Sequence, residues 1–257
     1  VTALLIRVPA ADVLTDGGRE RLRALAGSGR VDAVVLAHAD DTDPSTASAY
    51  LGARHPDLDV VIEASFGHDF VYNLARRVAS LHALSDRACG VLLPAGDTDA
   101  VVSLHLLWQS WPRDSILGDR ETGRFVDASR IRRVDRGGAH AVAGPLQIPV
   151  DQNDPPVVLQ RFDPARPDGA RAADAVVVPP GVPAPKGAVT ILESDAAGLP
   201  AALAVRPAGV LVDVPPDLDV LAAVPARSAG GLRRRLGLGA PPVSLDTPAS
   251  VPAVEGW

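Results

Sequence analysis

Few side chains in this sequence are of a kind that does chemistry, and most of those stand where an apolar run stops. His38 follows VVLA in LAHADD, Glu63 and Ser65 close VVIEAS, and His68 and Asp69 come just after. A carboxylate in a run such as VVIEAS must be paired or protonated if it points inward, because a lone buried charge is costly. Otherwise it is exposed at the end of the run. His38, Ser65 and His68 fit either contacts to a ligand or polar loop positions in water. His68 and Asp69 are adjacent, and neighbours on an extended segment point opposite ways, so they make a poor acid–base pair. Tyr72 and Asn73 head a helical stretch, where they could face a ligand or cap and pack. His82 and His105 read as surface or packing positions within helices, and His140 as structural. Cys89, in ACGVLLP, reads as a buried thiol, because a reactive thiolate needs exposure and a cationic neighbour. As the single cysteine it forms no disulfide within the chain. No His-x-x-x-His or Cys-x-x-Cys spacing points to a metal, and the Gly-x-Gly-x-x-Gly, P-loop and Gly-x-Ser-x-Gly patterns do not occur.

These residues need elements to hold them. Short, nearly continuous apolar runs predict strands at Ala3–Val8, Val31–Ala37, Leu58–Ala64, Cys89–Pro94, Val157–Gln160, Ala175–Val178, Ala188–Leu192 and Gly209–Val214. Runs without alternation mark strands buried on both faces, as in a parallel sheet covered by helices. GRERLRALAGSG puts Leu22 and Leu25 on one side of a helix. A second helix opens at Ser45 with a good N-cap residue. VYNLARRVASLHALS spaces Val71, Leu74, Val78, Leu81 and Leu84 for a third, and Ala100–Trp111 is a fourth. The repeat of strand and helix predicts an α/β fold, an eight-stranded (β/α)8 barrel. The second half is thinner. RFDPARPDGARAAD leaves room for one or two helical turns, and the prolines of PPGVPAPKG oppose a helix. The barrel is therefore expected to be shortened, with its second half distorted, open or completed by a partner. Residues 1–238 read as one barrel domain and 239–257 as an irregular tail, mobile or clinging.

The 257 residues, 47% of them hydrophobic, suffice for one large core. A net charge of −6 argues against a nucleic-acid binder. The clusters Arg130–Arg136 and Arg233–Arg235 read as solvated faces. No apolar run approaches the ~20 residues of a membrane span, and VTALLIRVPAADV is too short and badly flanked for a secretory signal. A soluble cytoplasmic protein is expected. One connector, LWQSWPRDSILGDRETGRFVD, concentrates two Trp and one Phe among seven charged residues.

From Asp69 to Asp86 the chain reads DFVYNLARRVASLHALSD. This resembles the third-strand-to-helix segment of the bacterial luciferase-like flavin monooxygenases. The nearest branch is that of nitrilotriacetate monooxygenase, the pristinamycin IIA synthase large subunit and dibenzothiophene-sulfone monooxygenase. LWQSW with DRETGRFVD resembles that branch's helix end and acidic connector, and RGGAHAVAGPLQIP its hairpin before the fifth strand. PPVVLQ, AADAVVV and LRRRLGLGAP resemble its fifth strand, sixth strand and closing helix. The resemblance implies a TIM-type barrel with an inserted hairpin before the fifth strand and an eroded second half. It implies reduced FMN as cofactor, FMNH2-dependent insertion of one oxygen atom from O2 into a small organic substrate, a separate flavin reductase, and pairing with a like or paralogous barrel. The connector then reads as inherited architecture, with Trp108 and Trp111 as packing anchors.

The sequence departs from the family at the flavin site. An Asn-x-x-Thr-Ser motif after the fourth strand is GVLLPAG here, and a following His-x-x-x-Tyr segment is deleted, with His105 not its equivalent on spacing. An acidic position after the second strand is His38, and a hydroxyl cluster after the third is reduced to Ser65. The small-residue phosphate turn is QRFDPARPDGARAAD. There Arg161 or Arg166 could supply charge and Gly169 could open a helix, while Pro164 and Pro167 remove donors and Asp163 and Asp168 repel phosphate. The resemblance thus carries His38, Ser65, Arg161 and Gly169 as cofactor-binding positions, assigns no catalytic residue, and leaves a non-catalytic dimer partner or ligand-binding subunit as the alternative.

Overall fold

The computed structural model describes residues 2–39, 42–67, 69–85, 89–214 and 218–245. Its strands are β1 (Ala3–Pro9), β2 (Ala33–Ala37), β3 (Asp59–Glu63), β4 (Cys89–Leu93), β5 (Ile116–Asp119), β6 (Arg124–Val126), β7 (Val134–Arg136), β8 (Val142–Gly144), β9 (Val157–Arg161), β10 (Ala175–Val178), β11 (Thr190–Ser194) and β12 (Gly209–Asp213). The eight runs read from the sequence are all strands, and they close into a parallel barrel in the order β1-β12-β11-β10-β9-β4-β3-β2. The thin second half does not open it. β9 reaches β10 through a 3-10 turn at Pro167–Arg171, and β10 reaches β11 through residues 179–189 without a helix, yet both pairs are in parallel register.

β2 and β4 are buried along their whole length because their side chains face the interior and the helices alternately. Leu5, Val61, Leu159 and Ile191 fill one interior level, and Val35, Leu92, Val177 and Leu211 contribute to another. Such sets of four come from alternate strands, as in a packed barrel core.

The outer layer consists of α1 (Asp16–Gly27), α2 (Pro44–Arg54), α3 (Val71–Leu84), α4 (Thr98–Gln109), α5 (Leu199–Ala204) and α6 (Leu232–Arg235). α2 begins one residue before the expected Ser45. Asp43 is the cap, accepting from the N–H groups of Ser45 (2.8 Å) and Thr46 (3.0 Å), and Pro44 takes the first helical position, where no N–H is needed. In α3 the apolar stripe buries Val71, Leu74 and Val78 but ends before Leu84, which is 86% exposed. α4 is buried from Ala100 to Trp108. Two antiparallel hairpins, β5–β6 and β7–β8, separate α4 from β9 where the sequence predicted one.

The arginines of α6 are not all on a solvated face. Leu232 and Leu236 enter the barrel core from its N-terminal end, where Gly209 leaves room: a Cβ there would lie 3.0 Å from Leu236 Cδ2. Arg233 binds Asp174 with both terminal nitrogens, at 2.9 and 3.1 Å, and Arg235 pairs with Asp32 (3.0 Å) and Asp59. The start of the tail lies against α4: Gln109 donates to Val243 O (2.7 Å) and accepts from Leu245 N (3.1 Å). Residues 246–257 of the tail lie outside the described residues.

Candidate functional site at the barrel mouth

In a barrel of this kind the C-terminal strand ends carry the site. Here four charged side chains from alternate strands stand above the apolar levels: Arg7 (β1), Glu193 (β11), Arg161 (β9) and Glu63 (β3). The signs alternate around the barrel. Arg161 donates to Glu63 Oε1 (2.9 Å) and Glu193 Oε1 (2.8 Å), and Arg7 donates to Glu63 Oε2 (2.8 Å) and Asp213 Oδ1 (3.3 Å). Glu63 points into the barrel and is paired, not protonated. Burial pushes its carboxyl up, but the hydrogen bonds from Arg7 and Arg161 outweigh that and hold it below the usual carboxylate range. The Glu63 bond raises Arg7, and for Arg161 the bonds to Glu193 and Glu63 overcome the lowering effect of burial. Arg7, Glu193 and Asp213 went unremarked in the sequence reading. The signal that singled out Glu63, one charge in an apolar run, is present in LLIRVP, TILES and VLVDV as well.

His38 is exposed just beyond β2, and Ser65 is half-buried just beyond β3. Neither joins the ionic layer of Arg161. His68 lies outside the described residues. Gly169 is in the turn after β9, against the start of α4: a Cβ there would lie 2.4 Å from Thr98 Oγ1. A second polar cluster welds the rim. His140 Nε2 meets Asp97 Oδ1 at 2.8 Å, Asp99 accepts from His140 N (2.8 Å) and pairs with Arg136, and the His140 ring lies 4.4 Å from that of Phe66. Tyr72 donates to Pro145 O (2.9 Å) and Arg77 pairs with Asp69, so the LARR segment ties α3 to the hairpin and to the loop before it. Trp108 is buried with its N–H on Ala75 O (3.0 Å), and Trp111 donates to Ser115 Oγ (3.1 Å). Burial pushes the Cys89 thiol up to about 12, which leaves it inert.

No family model matches the sequence. It is 28% identical over 182 residues to dibenzothiophene-sulfone monooxygenase of Rhodococcus erythropolis, covering 61% of this chain and 38% of that protein. To N-acetyl-S-(2-succino)cysteine monooxygenase of Bacillus subtilis strain 168 it is 25% identical over 142 residues, covering 46% and 32%. EDTA monooxygenase from Chelativorans sp. BNC1 superposes with a TM-score of 0.64 at 16% identity, over 93% of this chain and 98% of that one. In sequence the chain is similar to these monooxygenases, and its barrel fold is that of the luciferase-like flavin monooxygenases. It spans less than two fifths of the length of these curated relatives. A riboflavin lyase solved with modified FMN and riboflavin shares the fold, with a TM-score of 0.54 at 20% identity over 79% of this chain and 58% of that one.

Against this luciferase-like frame, the turn after β9 does not suit the phosphate of a flavin mononucleotide. Three of its donors are used internally: Ala165 N bonds Asp163 Oδ1 (2.9 Å), Arg166 N bonds Asp163 O (3.0 Å), and Gly169 N bonds Arg166 O (3.3 Å). Pro164 and Pro167 have no N–H to give. The Asp163 carboxylate itself lies beside Gly96, and the crevice between them has room for about one water molecule. Both terminal nitrogens of Arg161 are engaged by carboxylates, and the mouth layer with Asp213 sets three carboxylates against two guanidiniums. An incoming phosphate meets a mouth layer of net negative charge and a turn in which the N–H groups of Ala165, Arg166 and Gly169 are already bonded.

Among the described residues no helix is long and apolar enough to cross a membrane, and no group of His, Cys, Asp and Glu could hold a metal ion.

Proposed function

We propose that this chain is a non-catalytic luciferase-like barrel, a cytoplasmic subunit that pairs with another barrel or binds a small ligand without flavin chemistry. The observation that carries this reading is the pairing of Arg161 with Glu63 and Glu193, next to a β9 turn whose N–H groups bond to its own Asp163 and Arg166. A monooxygenase of this class needs the flavin to do the oxygen chemistry, while the protein positions it and excludes water.

The names of the relatives favour a second reading: an FMNH2-dependent monooxygenase fed by a flavin reductase and acting on a small organic substrate. There His38, Ser65, Arg161 and Gly169 line the cofactor. A titration with oxidised and reduced FMN, followed by flavin fluorescence and absorbance, separates the two. The subunit reading expects no binding at high micromolar FMN. Tight binding overturns it, and Arg161→Ala then weakens the affinity if Arg161 holds the phosphate.

A further inference from the structure

We propose that the groove between α2 and α3 is a binding site for a free medium-chain aliphatic carboxylate. Two cavities meet there, and Ala49 and Leu81 line both. Toward the start of β3 and β4 lies an apolar hollow of about 270 Å³, walled by Leu58, Val60, Leu81, Leu84 and Cys89. Toward the start of α2 lies an open trough of about 510 Å³, lined by Arg76, Arg77, Ser80 and Gln147 among others. One end suits hydrocarbon and the other suits a negative charge.

Gly52 opens the hollow. It sits inside α2, where glycine costs up to ~1 kcal/mol relative to alanine. No positive φ requires it, and a Cβ there would meet nothing within 4 Å. The missing side chain therefore serves no turn and no close approach, and it leaves space beside the helix. The hydroxyls of the hollow are engaged: Ser85 donates to Leu81 O (2.7 Å), and Ser48 bonds the Cys89 thiol. An apolar tail loses nothing by filling such a hollow, whereas a polar one gives up water without return.

The trough has the opposite character, because both charged residues that line it are arginines. Arg77 pairs with Asp69, but the exposed Arg76 guanidinium has no partner among the described residues, and neither has the Gln147 amide. Asp43, at the cap of α2, is held by Ser45 and Thr46. A guanidinium offers a carboxylate two parallel hydrogen bonds. From Arg76 to Leu84 the helix rises about 12 Å. An extended chain of ~1.5 Å carbon–carbon bonds covers that length with about ten carbons.

The groove shares no residue with the mouth layer, so this inference goes beyond the subunit reading, and its test and the FMN titration fail separately. Calorimetric titration of the full chain with decanoate, kept below its micelle concentration, is expected to show one site per chain with a Kd of ~10–100 µM. Octanoate is expected to bind roughly tenfold more weakly, since two fewer methylenes are buried. Arg76→Gln weakens decanoate at least about tenfold, and Arg76→Lys, which keeps the charge, weakens it less. Gly52→Leu fills the hollow and also weakens decanoate at least about tenfold. Leucine is the better helix former, so the far-UV spectrum is kept and the unfolding midpoint does not fall. No binding up to ~1 mM decanoate, several equal weak sites, or an affinity indifferent to Arg76→Gln or to Gly52→Leu overturns the proposal. So does a change of oligomeric state in Gly52→Leu, which gives the groove to a second copy. Binding to anionic phospholipid vesicles that Gly52→Leu abolishes overturns it too, because it gives the groove to a membrane.

Discussion

Glu63 holds two arginines at once, and the whole mouth layer hinges on it. Replacing it with Gln keeps the shape but leaves Arg7 and Arg161 sharing one neutral acceptor. The expected cost at neutral pH is about 1–3 kcal/mol, below that of a fully buried pair because both guanidiniums reach water. The carboxyl lies below its ordinary value of 4.5 in the fold. Its contribution is therefore complete above about 4.5 and is lost as pH falls through the lowered folded value. Urea unfolding of Glu63→Gln should show a deficit at pH 7 that shrinks toward pH 3. A deficit constant with pH would mean that packing, not charge, holds the layer. At this scale sequence reasoning reached one member of the layer. VVIEAS advertises a charge in an apolar run, but which charges meet depends on strand order, and β3 and β9 flank β4 without pairing with each other. The partners of Arg161 were invisible for the same reason. They lie 32 and 98 residues away.

The elements were far more legible, because periodicity is local. All eight strands follow from unbroken Val, Leu and Ile runs, whereas cap positions turned on single side chains. Asp43 rather than Ser45 caps α2, since a carboxylate two positions earlier meets two helix N–H groups. Asp43→Ala should cost about 1 kcal/mol, measured as a lower urea midpoint with unchanged slope; a neutral result would remove the cap from the account of α2. α4 gives a pH signature. His105 is fully buried, edge-on to Trp108 at 6.4 Å, and its Nε2 has no hydrogen-bond partner among the described residues. Burial pushes it below its ordinary value of 6.5. The fold thus favours the neutral ring, and stability falls as pH drops below about 6.5 toward the lowered folded value. His82 shifts in the same direction, also by burial. His105→Leu should flatten part of the decline between about pH 6.5 and 5, and adding His82→Leu should flatten more. A double variant with the original slope would place the acid sensitivity elsewhere.

At the scale of the whole molecule, α6 acts as a clamp across the closed end of the barrel. Arg233 reaches Asp174, just before β10, and Arg235 reaches Asp32 and Asp59, at β2 and β3. In the strand order β10 and β2 lie on opposite sides. Two of these acids also stitch a strand pair: Asp32 accepts from Leu4 N (2.7 Å) and Asp174 from Val158 N (2.8 Å). The arginines therefore neutralise carboxylates that the strands have already taken out of water, which makes breaking one side costly. Arg233→Ala leaves Asp174 buried without its cation and should cost about 3–5 kcal/mol. Because the clamp joins two sides of one closed sheet, the loss should be global rather than a fraying of α6. Trp108 and Trp111 stand at the far end of α4 and report on β4 and its neighbours by fluorescence, while circular dichroism reports on the whole chain. For Arg233→Ala both signals should move to lower urea together and stay coincident. If dichroism shifts and tryptophan fluorescence does not, α6 melts alone and the barrel closes without it.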